Sequence, residues 1–442
     1  MTSEEPAGSP PTTGQVPPGG PGGASPPPGG SGGPSFPAPF RVGVLGHGTV
    51  GGAFVELLEG RADAIAAEVG LRPEVSGVLT RSRGDYVEIL ERSDLIVEAM
   101  GGTDPALDYA LRALRAGRHV VSANKQLLSR HGEQLLATAG ESGVQLRFEA
   151  AVAGVVPVIR VIGETLAGPH IERVNGIVNG TTNFILTAME RTGATYEAAL
   201  AEAQALGYAE ADPTEDVSGL DAAAKMAILA RLAFGTPVHV GDVPCEGIES
   251  ITAEDIAYAR ELGLSLKLIG SAERVDGGIA VMVYPAFLYA GHPLAAIHGS
   301  FNAVTIESPA ITEITLSGPG AGGSQTASAL LGDVISAMIP PPFVAPPAVP
   351  ARLVTDTESA FYLHVEVADH PGVLAQVAEL LGLQGVSIKS VVQRGMGEDA
   401  RLAMVMHPVL ESKFRGAVDL IGRLEFVRSE PRVIRVIEAV FE

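Results

Sequence analysis

Beyond Phe40 the chain alternates short apolar runs with longer stretches in which apolar residues recur three and four positions apart, the periodicities of strand and helix. Strands are predicted over residues 41–45, 74–79, 95–98, 119–122 and 145–148, with helices between them. This βαβ series predicts an α/β layer for residues 40–149. A second block, residues 150–339, mixes helical runs at 197–205 and 219–232 with an alternating strand at 278–284, an α+β pattern. It closes on the glycine-rich loop 317–323 and a helical run over 325–339 that is expected to return to the first layer.

Proline then dominates residues 340–350, which favours stiff, extended backbone and marks 340–358 as a linker ahead of a separate module. Within residues 359–442 the order strand, helix, strand, strand, helix, strand falls at 361–367, 373–383, 386–393, 401–407, 411–424 and 432–440, a βαββαβ unit. Residues 1–39 are more than half proline and glycine and read as a disordered tail without the apolar core of a signal peptide.

Composition narrows the partners. The 442 residues suit two or three domains once the tail is set aside. Thirty Lys and Arg against fifty-one Asp and Glu give a net charge of -21, which repels phosphate backbones and argues against nucleic-acid binding. No apolar stretch reaches the ~20 residues of a membrane helix. The single cysteine, Cys245, excludes an intrachain disulfide framework and fits a reducing cytoplasm.

The run Gly46-His47-Gly48-Thr49-Val50-Gly51 places G-x-G-x-x-G between a predicted strand and a predicted helix. In that context Gly46 suits a tight turn, Gly48 lets backbone approach a pyrophosphate, and Gly51 permits close packing, with the helix N-terminus facing the anion. After the second strand, Thr80-Arg81-Ser82-Arg83 offers cations where a ribose-binding acid is usual, so Arg81 is a candidate for a 2′-phosphate and NADP is expected ahead of NAD. Asp221 and Lys225 share one face of a helix whose neighbours are apolar. Spacing alone allows an ordinary salt bridge or a buried lysine suited to proton transfer, since burial tends to lower an ammonium's pKa.

Taken together, Gly101-Gly102-Thr103, Ser122-Ala123-Asn124-Lys125, Asn179-Gly180-Thr181-Thr182-Asn183 and Gly207-Tyr208-Ala209-Glu210-Ala211-Asp212-Pro213, running on to Asp221 and Lys225, resemble the homoserine dehydrogenases. The resemblance implies a Rossmann nucleotide domain, an α+β substrate and dimerisation domain, and NAD(P)-dependent interconversion of aspartate semialdehyde and homoserine. It implies that Lys225 and Lys125 lie beside the reacting oxygen, Lys225 assisting proton transfer, with Asp221 a further catalytic residue. Glu210, Asp216, Asp221, Tyr208 and Thr181 would contact the substrate, and Thr49, Val50, Thr103, Lys125 and Gly322 the cofactor. The segment from Glu149 to Val156 resembles the family's monovalent-cation loop, giving Glu149, Val152, Gly154 and Val156 as sodium ligands; oxygen-only ligands suit a hard cation. A homodimer or homotetramer is the implied assembly.

In the last block, Asp369-His370-Pro371-Gly372-Val373-Leu374 follows a strand and opens a helix, where backbone donors suit a small carboxylate. It resembles the ligand loop of ACT domains, which makes Asp369, His370, Gly372, Val373 and Leu374 candidates for holding an amino-acid effector, threonine in this pathway. The rival readings are an amino-acid sensor with a degenerate dehydrogenase core, and another amino-acid dehydrogenase on the same fold. The joint presence of Glu210, Asp221 and Lys225 counts against the second, and the expected residue type at every matched catalytic position counts against the first.

Overall fold

The computed structural model describes residues 38–168, 170–339, 349–395 and 400–437. The tail reading for residues 1–37, the proline-rich spacer at 340–348 and the end of the last predicted strand at 438–440 lie outside the described residues. Among the described residues no helix is long and apolar enough to cross a membrane.

The first layer is a five-stranded sheet of β1 (Phe40–Leu45), β2 (Pro73–Leu79), β3 (Leu95–Glu98), β4 (His119–Ser122) and β5 (Leu146–Arg147). Every pair is parallel and the order is β2-β1-β3-β4-β5. Chain direction across the sheet therefore reverses between β1 and β3, the crevice where α/β sheets bind ligands at their carboxyl ends. The connecting helices are α1 (Thr49–Val69), α2 (Tyr86–Arg92), α3 (Ala106–Arg115) and α4 (Lys125–Ser142). Asn124 caps α4 by accepting the Leu127 N–H at 3.0 Å. This matches the predicted strands to within a residue or two.

After the short α5 (Val158–Arg160), the second block builds an antiparallel sheet from β6 (Arg173–Ile177), β7 (Leu264–Val275), β8 (Gly278–Tyr289), β9 (Phe301–Ser308) and β10 (Thr312–Pro319). Its helices are α6 (Gly180–Thr192), α7 (Tyr196–Ala205), α8 (Thr214–Val217), α9 (Leu220–Phe234) and α10 (Ala253–Glu261). α9 is apolar on nearly every side and runs through the main core, with Ala222, Ala223, Met226 and Leu229 buried. The predicted loop 317–323 is shorter than expected, because Ser317, Gly318 and Pro319 pair with β9. The following α11 (Gly323–Ala337) buries Ala327, Leu330 and Val334 against Val42, Phe54 and Leu58 of the first layer, so the block does return there.

The C-terminal module contains β11 (Glu358–Val367), α12 (Val373–Leu383), β12 (Ile388–Arg394), β13 (Ala400–Met406), a two-residue β14 (Val409–Leu410), α13 (Glu411–Ile421) and β15 (Arg432–Ile437). It has the expected βαββαβ order but is not a separate body. β15 pairs in parallel with β8, joining the two sheets into one of ten strands. Alternation along β11 explains the fusion: Phe361, Leu363 and Val365 face Phe414 and the module's own helices, whereas Tyr362 belongs to the core shared with the second block. Arg432 to Asp255 at 3.2 Å, Arg401 to Glu254 at 2.8 Å and Arg415 to Glu246 at 2.7 Å tie the seam.

Candidate active site

The glycine turn after β1 has the geometry its spacing predicts. Gly46 has a φ of 98°, and its N–H donates to the Leu79 carbonyl at 2.9 Å. A Cβ on Gly51 would overlap the Gly46 carbonyl oxygen, whereas a Cβ on Gly48 would meet nothing within 4 Å. Gly48 also starts α1 with no side-chain cap, so the first N–H groups of the helix, at Thr49, Val50 and Gly51, open onto that space. A pyrophosphate fits such a cradle. The start of α11 lies beside it: a Cβ on Gly323 would stand 3.0 Å from Thr49 Cγ2, which brings Gly322 to the same end of the sheet. Arg81 is exposed in the turn following β2, closed by the Thr80 N–H donating to the Arg83 carbonyl at 2.7 Å.

Glu98, at the end of β3, is a buried acid that the sequence reading passed over. Its carboxylate accepts from Ser122 Oγ at 2.6 Å, the Met100 N–H at 2.9 Å and Asn124 Nδ2 at 3.4 Å. Burial pushes the carboxyl up, against these hydrogen bonds. Asn124 Nδ2 also donates to the Gly102 carbonyl at 2.6 Å. The loop bearing Thr103 and the start of α4 bearing Lys125 are thus held together from behind. An acid ending an otherwise apolar strand and preceding two glycines was the available signal.

Opposite this end of the first layer, the turns before α6 and α9 supply the other half of the site. Asp221 lies in the first turn of α9 with its side chain 4 % exposed. Lys125 donates to its Oδ1, and Lys225 donates to its Oδ2 at 2.7 Å. Lys225 also donates to the Val178 carbonyl at 2.7 Å. Both lysines, from different blocks, therefore share one carboxylate. Burial alone would raise the Asp221 carboxyl, but the two ammonium groups outweigh it and hold the pKa well below the carboxylate range. For Lys125, desolvation pulls the ammonium down, yet Asp221, then Glu215 at 3.8 Å and Asp216, hold it above its ordinary value.

The remaining predicted contacts divide. Asp216 is brought in, accepting from Asn179 Nδ2 at 2.7 Å. Thr181 Oγ1 donates to the Tyr208 carbonyl at 2.8 Å, and the Tyr208 ring stacks on Phe184 at 4.6 Å between centroids. Glu210 stands apart on the same exposed turn, where its carbonyl accepts from Gln204 Nε2 at 3.1 Å. Sequence reasoning also missed the part played by Asn179 and the Val178 carbonyl, since a backbone acceptor carries no residue-type signal.

At the junction of the blocks, both carboxylate oxygens of Glu149 accept backbone N–H groups, from Ile159 at 2.8 Å and Arg160 at 2.9 Å. Val152, Gly154 and Val156 follow in a tight turn, with Ala153 and Gly154 at positive φ. Burial first, then Asp333, pushes the Glu149 carboxyl up to about 7. In the C-terminal module, Asp369, His370, Gly372, Val373 and Leu374 line an open cleft with Gln393. Gln393 Nε2 donates to Asp369 Oδ1 at 3.0 Å, Val373 is buried and Leu374 is exposed.

A parallel nucleotide-binding layer whose open glycine turn faces a lysine–carboxylate cluster defines a nicotinamide-dependent dehydrogenase. Family models agree: "Homoserine dehydrogenase, NAD binding domain" matches residues 46–149, "Homoserine dehydrogenase" residues 157–335, and "ACT domain" residues 361–426. The homoserine dehydrogenase of Mycobacterium tuberculosis is 41% identical over 433 residues, 90% of this chain and 98% of that one. That of Corynebacterium glutamicum is 40% identical over 422 residues, 89% and 95% of the two chains. The crystal structure of a homoserine dehydrogenase from Thiobacillus denitrificans superposes with a TM-score of 0.86 at 34% identity, covering 90% of this chain and 98% of that chain. The chain belongs to the homoserine dehydrogenase family, an oxidoreductase with a C-terminal ACT domain.

Proposed function

We propose that the chain reversibly reduces L-aspartate 4-semialdehyde to L-homoserine with NADPH, which leaves as NADP, and that Lys125, Asp221 and Lys225 receive the reacting oxygen. The observation that carries this reading is one buried carboxylate binding two ammonium groups from different blocks. The bound reduced nicotinamide supplies the hydride. Lys225 Nζ gives a proton to the alkoxide oxygen, and Lys125 steadies the developing negative charge. Asp221 keeps both ammonium groups aimed at that point. The same groups serve the reverse direction.

Asp216 and Glu210 supply charge for the substrate's ammonium, with Tyr208 and Thr181 lining its approach. Gly46, Gly48, Thr49, Val50 and Gly51 cradle the pyrophosphate, with Gly322 and Thr103 alongside. Arg81 pairs with the 2′-phosphate, which favours NADP over NAD. Oxygens of Glu149, Val152, Gly154 and Val156 hold a sodium ion; a buried acid whose pKa burial has raised is a place where added positive charge fits. Threonine binds at Asp369, His370, Gly372, Val373 and Leu374 as feedback inhibitor, its carboxylate facing the start of α12. Functionally the chain divides into a nucleotide domain at 40–149, a catalytic domain at 150–339, a linker at 340–358 and a regulatory domain at 359–442, preceded by the tail at 1–39. It works in the cytoplasm as a homodimer or homotetramer.

Initial rates of NADPH and NADH oxidation with aspartate semialdehyde, for wild type and Arg81→Ala, test the cofactor assignment. The expected outcome is a preference for NADPH that the substitution removes by raising the KM for NADPH roughly tenfold or more, as loss of a charge-assisted phosphate contact implies. Equal use of both cofactors by wild type would contradict it. Adding threonine or sodium chloride to the same assay reads the effector and the cation.

A further inference from the structure

The geometry points to Asn179 as a positioning residue for the reaction: one neutral amide that clamps Asp216 and Asp221 together and sets the aim of the lysine-bearing carboxylate. This rests on the dehydrogenase reading of the same site. Asn179 ends the segment after β6 and is 4% exposed. Its Nδ2 donates to Asp216 Oδ1 at 2.7 Å and to Asp221 Oδ2 at 2.8 Å. Its Oδ1 accepts the Thr182 N–H at 2.8 Å and so caps α6. A single side chain thereby locks three elements, α6, α8 and α9.

The chemistry of the amide matters as much as its reach. Two carboxylates brought to one small site repel each other. An NH₂ group spends one hydrogen on each and adds no charge. Asp221 Oδ2 then accepts from Asn179 and Lys225 together, while Oδ1 accepts from Lys125. Rotation of the Asp221 carboxylate would break three hydrogen bonds at once. Without the clamp, Asp216 is free to turn outward and Asp221 to follow either lysine alone, so Lys225 Nζ loses its fixed position although every charged residue remains.

Capping and clamping can be separated. Serine is as good an N-cap as asparagine but cannot bridge two carboxylates, and aspartate also caps while placing a third negative charge against the pair. Asn179→Ser and Asn179→Asp are purified as full-length chains. For each, the melting temperature, NADPH affinity by fluorescence titration, and the pH profile of kcat/KM with aspartate semialdehyde are measured against wild type. The expected result is an Asn179→Ser protein with near-wild-type melting and NADPH affinity and kcat/KM lowered about 100-fold. Asn179→Asp should move the acid limb of its pH profile upward by at least a unit. Wild-type kcat/KM in Asn179→Ser with an unshifted acid limb in Asn179→Asp would overturn the proposal, leaving only the cap. Joint loss of melting temperature, NADPH affinity and activity in both would overturn it in favour of a purely structural role. A wild-type protein that fails to turn over aspartate semialdehyde would instead remove the dehydrogenase reading beneath it.

Discussion

Lys267 on β7 shows how far a single residue can depart from its local pattern. Apolar residues alternate at Leu264, Leu266 and Leu268, so pattern alone turns Lys267 outward to solvent. Instead it is fully buried, donating to the Ile297 carbonyl at 2.6 Å and to Asn183 Oδ1 at 3.4 Å. Both faces of this strand are covered, and local alternation cannot report a second covering layer. Burial lowers the ammonium to about 8, Glu190 opposing. Between about pH 8 and 10.5 the unfolded chain therefore holds a proton that the folded one lacks, and stability should rise with pH there by up to about 1.4 kcal/mol per unit. Urea unfolding of wild type and Lys267→Met at pH 7.5 and 9.5 checks this. The wild type should gain on the variant at the higher pH, and parallel behaviour would refute the assignment. The lysine–carboxylate cluster was legible for a different reason. Asp221 and Lys225 stand four apart on an apolar helix, whereas Lys125 joins them from 96 residues away by the folding of two blocks, and only resemblance linked it beforehand.

At the scale of elements, the strand–turn–helix of β1 and α1 was readable because each glycine serves a distinct steric purpose. A Cβ at Gly51 would collide with the Gly46 carbonyl, whereas one at Gly48 would stand in the open space proposed for the pyrophosphate. Alanine at the two positions should therefore have opposite signatures. Gly51→Ala forces its Cβ into the Gly46 carbonyl and should cost about 1–3 kcal/mol of stability, seen as a lower melting temperature without any cofactor present. Gly48→Ala should melt like wild type and lose NADPH affinity at least tenfold, because its methyl fills space left for the anion. Matching effects at the two positions would contradict the division of labour. The predicted loop at 317–323 failed at this scale because glycine and proline there signalled a turn, while pairing of Ser317, Gly318 and Pro319 with β9 kept them in the sheet.

At the scale of the molecule, element order within the C-terminal module was evident in its periodicity, but its union with the catalytic sheet was not. The parallel pairing of Arg435, Val436 and Ile437 with Ala286, Phe287 and Leu288 spans about 150 residues and leaves no local trace. The linker composition suggested detachment, yet Tyr362, Ala403 and Ile434 share the main core. A chain ending at residue 350 should thus expose the edge of β8 and an apolar face, and elute as aggregates or melt well below the full chain. A monodisperse fragment of unchanged melting temperature would show the module to be separable. Fusion also places the cleft at Asp369 on a sheet continuous with the one that underlies α9. In the proposed mechanism, two lysines gathered by Asp221 carry the proton chemistry. Its most direct test is the kcat for NADPH oxidation with aspartate semialdehyde in Lys225→Ala, alongside NADPH affinity in the same protein. The expected result is kcat lowered about 10³-fold with cofactor affinity unchanged; a kcat within a few-fold of wild type would rule out the lysine's part in proton transfer.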